Sequence, residues 1–271
     1  MNTTLITGGT GKTGRRVAER LTSMARPIKV GSRSGDTRFD WEDESTWAPA
    51  LDGCRSAYIT FAPDLAFPGA AEIVGQFAKT AVAAGTTRLV LLSGRGEQGA
   101  QQAERSVIDS GADWTVARCA FFAQNFSEST WVDAIHAGNL ELPGNTAEPI
   151  LDAEDIAEVV AAALSDDRHV GQLYELTGPR LITFDQAVKE ISVATGRNVG
   201  FSEVSNAEFA ASLQDKGIPI DEAQGLAALF AEILDGHNAY LTDGVRRALD
   251  RDPRDFTDYV RRTAATCVWN G

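Results

Sequence analysis

Three observations predict an α/β fold on a doubly wound parallel sheet with a smaller, mostly helical C-terminal lobe. The chain opens with an apolar run, Leu5-Ile6-Thr7, that passes through a glycine turn into a helical pattern. Strand-like and helix-like segments then alternate through the first half, as a parallel sheet covered on both faces requires. Beyond Val199 the pattern turns almost wholly helical.

The first strand ends in Gly8-Gly9-Thr10-Gly11-Lys12-Thr13-Gly14. In this spacing Gly8 permits a turn at positive φ, Gly11 lets backbone approach a phosphate, and Gly14 lets the following helix pack closely on the strand. Open N–H groups at the helix start then face a pyrophosphate. Val17 and Leu21, with charges between them, suit a helix lying on a sheet. Gly11-Lys12-Thr13 also resembles the end of a triphosphate-binding loop, but that loop requires glycine where Ile6 stands. A dinucleotide-binding, Rossmann-like unit is therefore expected over residues 1–150. The remaining sheet elements and a substrate-covering lobe are expected over 151–271, as one rigid unit with the first.

The second strand, Pro27-Ile28-Lys29-Val30-Gly31, ends in Ser32-Arg33-Ser34. A fold that prefers NAD places a carboxylate there to bind the ribose. None is present. The Arg33 fork and the Ser32 hydroxyl match a 2′-phosphate instead, so NADP(H) is expected over NAD(H).

A short third strand is expected over 37–41, a helix over 46–51, and a buried strand over 56–63 whose end, Ala62-Pro63, reaches the cofactor edge. A helix over 70–84 stops at Gly85, and Arg88-Leu89-Val90-Leu91-Leu92-Ser93 forms the fifth strand. A glycine-rich loop over 94–99, a helix over 101–109 and a sixth strand at Trp114-Thr115-Val116-Ala117-Arg118 follow. The aromatic segment 119–126 emerges at the same edge, either as core or as the wall of a pocket for a flat substrate. Further on come a helix over 155–164, a strand over 172–176 and a helix opened by the capping box of Thr183 and Gln186. The remaining helices are expected over 206–216, 219–234, 243–250 and 253–268.

Lys plus Arg number 25 against 38 Asp plus Glu, a formal charge of −13. So acidic a chain lacks the basic footprint of direct nucleic-acid binding. No apolar run approaches a membrane span, and no signal-peptide pattern is expected at the start. Cys54, Cys119 and Cys267 are odd in number and widely spaced, which fits reduced thiols in a cytoplasmic setting and no Zn site. His136, His169 and His237 stand apart and are expected at the surface or at caps.

Thr7-Gly8-Gly9-Thr10-Gly11-x-x-Gly14, the strand-end Arg33, Ser93-Gly94, and Ala117-Arg118-x-x-x-Phe122-x-x-Asn125-Phe126 together resemble the NmrA-like atypical short-chain dehydrogenases. The resemblance spans nearly the whole chain, including Gly178-Pro179 and Pro253-Arg254-Asp255-Phe256. Within that family, Gly11-Lys12-Thr13, Val30-Gly31-Ser32 and Phe39-x-Trp41-x-x-x-x-x-Trp47 are most similar to the reductases of ergot alkaloid biosynthesis and their bacterial relatives. The resemblance implies that Gly8, Thr10, Gly11, Lys12, Thr13 and Gly14 carry the pyrophosphate and Arg33 the 2′-phosphate. It implies further that Ala62, Pro63 and Ser93 border the nicotinamide ribose, and that Phe121, Phe122 and Asn125 line the substrate side. Family members include quinone reductases, imine or ether reductases, and redox sensors that bind regulators.

Ordinary short-chain dehydrogenases use a Tyr with a Lys four residues later to move a proton. No such pair exists in this sequence. Glu104 is a candidate acid, yet an exposed helix-surface carboxylate is its expected setting. Hydride transfer does not require the pair, because the cofactor carries that chemistry. An NADPH-dependent reductase of a flat electrophile (a quinone, iminium or enone) is the expected function, and the alternative is a non-catalytic NADP(H) sensor acting through a protein partner. The catalytic residue is not legible in the sequence.

Overall fold

Leu5 and Ile6 are consecutive and both fully buried, so β1 (Thr3–Thr7) must be covered on both faces. In the computed structural model, which describes residues 3–270, they enter two different apolar clusters. The chain continues through α1 (Lys12–Ser23), β2 (Ile28–Ser32), β3 (Thr37–Arg38), α2 (Trp47–Leu51), β4 (Cys54–Ile59) and α3 (Ala70–Ala83). Then come β5 (Arg88–Gly94), α4 (Gln98–Ile108), β6 (Asp113–Cys119), α5 (Trp131–Ala137), β7 (Asn139–Leu142), α6 (Ala153–Ala163) and β8 (Gln172–Leu176). The last third holds α7 (Phe184–Thr195), β9 (Gly200–Glu203), α8 (Asn206–Asp215), α9 (Ile220–Ile233), α10 (Gly244–Leu249) and α11 (Phe256–Ala264).

Seven strands form a parallel sheet in the order β3-β2-β1-β4-β5-β6-β8. The order reverses beside β1, which opens a crevice at the carboxyl ends of β1 and β4. Helices α3 and α4 pack together on one face, and α1 with α6 on the other, where α10 joins them. This is the α/β, Rossmann-like fold expected from the alternation of segments.

A third apolar cluster builds the lobe. It joins Phe126, Trp131 and Ile135 to Phe184 and Ile191 of α7, Phe209 of α8, Leu229 of α9, Phe256 of α11 and Trp269. A small parallel pair, β7 with β9, belongs to the same region, with Asn139 opposite Gly200. Neither strand nor α5 was expected. Gly200-Phe201-Ser202-Glu203 has weak β propensity, and only its distant partner makes it a strand.

Several boundaries moved. The third strand keeps only Thr37–Arg38, because Phe39, Trp41, Trp47 and Phe77 turn into an edge-to-face cluster. The loop expected over 94–99 is shorter: Gly94 closes β5, and α4 starts at Gln98. Pro219 is the N-cap of α9 and not in its first turn. The helix expected over 253–268 is Phe256–Ala264, capped by Asp255, whose side chain accepts from the Thr257 N–H. The Thr183–Gln186 capping box is present in full.

Pro253-Arg254-Asp255 is held by charge. Buried Asp155 of α6 accepts from the Arg254 backbone N–H at 2.7 Å and from Arg251 at 2.6 Å. Burial would raise Glu158, but hydrogen bonds from Arg254 and Arg251 overcome it and hold this carboxyl down at about 2. The Arg180 hydrogen bond likewise holds Asp255 at about 2, against burial. Both pKa values lie below the unfolded range near 4, so their stabilisation is present above that range and lost as pH falls through it toward 2. Urea unfolding at neutral pH, pH 4 and pH 2.5 is expected to show the midpoint dropping mainly over the last interval; a flat midpoint there would refute the assignment.

Candidate active site

The glycine turn is tied down from beneath. Thr7 is buried, its hydroxyl donates to the Tyr58 carbonyl at 3.1 Å and accepts from the Thr60 N–H at 2.8 Å, and Thr60 Oγ1 donates back to the Thr7 carbonyl. Gly8 takes φ +60, and a Cβ there would overlap Thr60 Oγ1. A Cβ on Gly14 would overlap the Gly8 carbonyl oxygen and come within 2.9 Å of Gly9 Cα. Gly8, Thr10 and Gly11 face outward. Gly11 caps α1 with no side-chain hydrogen bond, and the helix's first turn holds no acidic residue. That end can accept an anion. Thr13 differs from the other turn residues: its hydroxyl accepts from buried Tyr58 at 3.0 Å, so only its backbone faces the groove.

Ser32 ends β2 and Arg33 follows it; Gly31 of the same strand lies opposite Thr7, so both stand beside the turn. Ser32 Oγ accepts from the Gly35 N–H at 2.8 Å. Arg33 is exposed and makes no ion pair or side-chain hydrogen bond among the described residues. An arginine fork open beside an uncapped helix start fits a nucleotide bearing a 2′-phosphate.

At the same edge lies a cavity of about 360 Å³. Leu92, Ser93 and Gly94 of β5 form its floor, and Leu226, Leu229, Phe230 and Ile233 of α9 its roof. Phe121, Phe122 and Asn125 line it, as do Pro63 and Lys12, the first residue of α1 after the glycine turn. The structure thus brings Lys12, Pro63, Ser93, Phe121, Phe122 and Asn125 together around one space. Gly8, Thr10, Gly11, Thr13, Gly14, Ser32, Arg33 and Ala62 do not line it; they occupy the neighbouring strand ends and turn. The aromatic segment serves as both core and wall. Phe126 is fully buried, while Phe121 stacks on Trp131 at 5.5 Å and meets Phe230 edge-on beside the cavity.

Glu104 is not the exposed carboxylate expected. It is 2 % exposed, accepts from Ser93 Oγ at 2.6 Å and pairs with Arg118 of β6, whose Nε lies at 2.9 Å. The sequence reading missed this because Arg118 reaches Glu104 across strand and helix. His169 is also no surface residue: it is fully buried, with Nδ1 2.8 Å from the Tyr174 hydroxyl.

Arg95 went unnoticed in the sequence as well. It is buried, pairs with Glu175 at 2.6 Å, donates to the carbonyls of Asn238 and Tyr240, and lies 3.8 Å over the Tyr240 ring. These contacts hold the segment after α9 against the end of β5. None of the residues lining the cavity is a tyrosine, and its one lysine is Lys12, whose ammonium burial pushes down while Glu128 pulls it back. Three carboxyls line it too: Asp64, Glu97 and Glu148. Glu148 is 3 % exposed with Oε1 unpartnered, and burial pushes it up to about 7 against the pull of Arg95.

A family model described as NmrA-like matches residues 37–260. The chain belongs to the NmrA-like family. In sequence, this NmrA-like protein is 30 % identical to the uncharacterized oxidoreductase YesF of Bacillus subtilis, over 99 % of this chain and 98 % of the relative. It is also 30 % identical to agroclavine dehydrogenase of Claviceps fusiformis, over 95 % and 96 % of the two chains. Among solved structures it superposes on Citrobacter sp. triphenylmethane reductase complexed with NADP(H), with a TM-score of 0.80, 18 % identity and coverage of 96 % and 99 %. The NADPH-dependent quinone oxidoreductase QOR2 of Escherichia coli gives a TM-score of 0.78 at 22 % identity, over 96 % and 98 %. At these identities the two structures establish the shared fold.

Proposed function

We propose that this NmrA-like protein is an NADPH-dependent oxidoreductase that reduces a flat, electrophilic small molecule without a Tyr-Lys pair. The observation carrying the reading is the aromatic-walled cavity at the carboxyl edge of the sheet, beside a glycine turn built to meet pyrophosphate. Oxidoreductase names among relatives that match over nearly the whole chain support it.

In this reading residues 1–150 hold the cofactor and 151–271 supply the cover. Backbone N–H groups of the 8–14 turn meet the pyrophosphate, Ser32 and Arg33 meet the 2′-phosphate, and Ala62, Pro63 and Ser93 border the nicotinamide ribose. NADPH, when bound, supplies the hydride. The chain's own residues orient and enclose: Phe121, Phe122 and Phe230 hold a planar acceptor, and the α9 leucines exclude water.

The test mixes the purified protein with NADPH and a panel of quinones, iminium ions and enones and follows reduced-nicotinamide absorbance. Acceptor-dependent oxidation is expected; tight NADPH binding without oxidation across the panel would overturn the reading in favour of a sensor. Arg33→Ala is expected to weaken NADPH roughly ten- to a hundredfold, the loss of one charge-assisted contact of about 1.5–3 kcal/mol. NADH affinity should stay unchanged. Calorimetry with both cofactors checks this, and equal losses would remove Arg33 from the 2′-phosphate.

A further inference from the structure

None of the three carboxyls at the cavity, Asp64, Glu97 and Glu148, belongs to an ion pair among the described residues, and Glu97 is the one carried there by the end of β5. Glu97, the N-cap residue of α4, is 9 % exposed and folds back so that its carboxyl fills the space a side chain on Gly94 would need. It lines the cavity, and no side-chain hydrogen bond reaches it among the described residues. Neighbouring cations are engaged elsewhere: Arg95 with Glu175 and two carbonyls, Arg118 with Glu104. Asp64, delivered to the same cavity by the segment after β4, accepts only from the Ala66 N–H at 2.8 Å. A buried carboxyl without a counter-charge keeps its proton and turns into a donor.

The geometry points to Glu97 as the acid that protonates the acceptor's oxygen, which makes the substrate an α,β-unsaturated carbonyl compound, quinones included. This rests on the reductase reading above. Hydride from NADPH forms a C–H bond at the β-carbon, and the π pair shifts to leave an enolate oxygen. The Glu97 O–H bond breaks, its proton passes to that oxygen, and solvent reprotonates the carboxylate. One NADPH and one proton are consumed for each acceptor reduced. An iminium carbon leaves no oxyanion and draws nothing from Glu97.

The surroundings favour the protonated form. Burial, then the charges of Asp64, Glu232 on α9 and Glu104, push Glu97 up to about 8. Asp64 is itself raised by burial. Lys12, Cys119 and Glu148 line the same cavity; burial and Glu97 push Cys119 up, and burial pushes Glu148 up to about 7, below Glu97. Because the active form carries the proton, the rate should be level below pH 8 and fall as pH rises through it.

Single-turnover oxidation of bound NADPH, followed with 2-cyclohexenone and 1,4-naphthoquinone, tests the assignment. Glu97→Gln should slow both acceptors by about 100-fold, within the range for general acid catalysis, and abolish the alkaline limb. Reduction of N-methyl-3,4-dihydroisoquinolinium, which leaves no oxyanion, should be slowed far less than that of either carbonyl acceptor. Asp64→Asn should move the limb to lower pH by removing a neighbouring negative charge. Calorimetry of NADPH binding to each variant confirms an intact fold. Infrared difference spectra of the cofactor-free protein give a readout without turnover: a carboxylic-acid band that vanishes as pH passes about 8, distinct from that of Glu148 at about 7, should be missing in Glu97→Gln and kept in Glu148→Gln.

The assignment is overturned if Glu97→Gln matches the parent rate. It is equally overturned if the band titrates in the ordinary carboxylate range, or if rates rise with pH, which would make Glu97 a counter-ion for a cationic acceptor. Failure of the parent protein to oxidise NADPH with every acceptor removes the reductase reading itself, and the acid with it.

Discussion

Gly14→Ala is expected to abolish NADPH binding at micromolar concentrations, a loss of at least about 100-fold, or roughly 3 kcal/mol. The added Cβ meets backbone atoms only, the Gly8 carbonyl and Gly9 Cα. No rotamer change relieves that overlap. The turn must move, and it is pinned on its other side by the Thr7–Tyr58–Thr60 hydrogen bonds. Overpacking of this kind costs about 1–3 kcal/mol of stability, so a lowered Tm should accompany lost affinity. Gly53→Ala separates the two effects. Gly53 sits at φ +70 with nothing within 4 Å of a built Cβ, far from the turn, so it should lose stability and keep NADPH affinity. Normal cofactor affinity in Gly14→Ala would show that the 8–14 turn is not the pyrophosphate cradle.

Glu104→Ala carries the second large effect. Removing one partner of a buried ion pair strands the other, at a cost of about 3–5 kcal/mol. Arg118 keeps a fifth of its side-chain exposure and a distant contact to Glu175 at 4.0 Å, so the lower end, about 3 kcal/mol, is expected. For a chain of this size that corresponds to a Tm lower by about 10 °C. Ser93 loses its acceptor too, and its hydroxyl lines the cavity floor. Glu104→Gln, which keeps an acceptor for Ser93 and Arg118, should fall between parent and alanine variant. An alanine variant as stable as the parent would mean that the pair contributes nothing. The comparison matters because Glu104, taken alone on its helix, looked like a candidate acid; its bonds make it a positioning residue for Ser93.

The legible part of this molecule is local. Gly8 and Gly14 act within one turn and the helix it starts, and Thr183 with Gln186 closes its reciprocal bonds within four residues. Strand and helix periodicity in the first half is likewise set by burial of each segment's own side chains. Where partners lie far apart in the chain, the reading failed. β7 and β9 have little strand preference until they meet across some sixty positions. Glu104 reads as a surface carboxylate until β6 brings Arg118 beside it.

The candidate site divides along the same line. The glycine turn and the residue after the second strand, which the proposed cofactor groove uses, could be located because they stand at fixed offsets from their own strands. The site's chemistry could not be read, since the protonation state of a carboxyl depends on what surrounds it. Glu97 and Asp64 follow adjacent strands, 33 positions apart, and share one cavity under α9. The order of residues along the chain thus determined the sheet and the glycine turn after β1. Tertiary packing alone decided which carboxyls lost their solvent and counter-charges, because desolvation is a property of the neighbours that folding assembles.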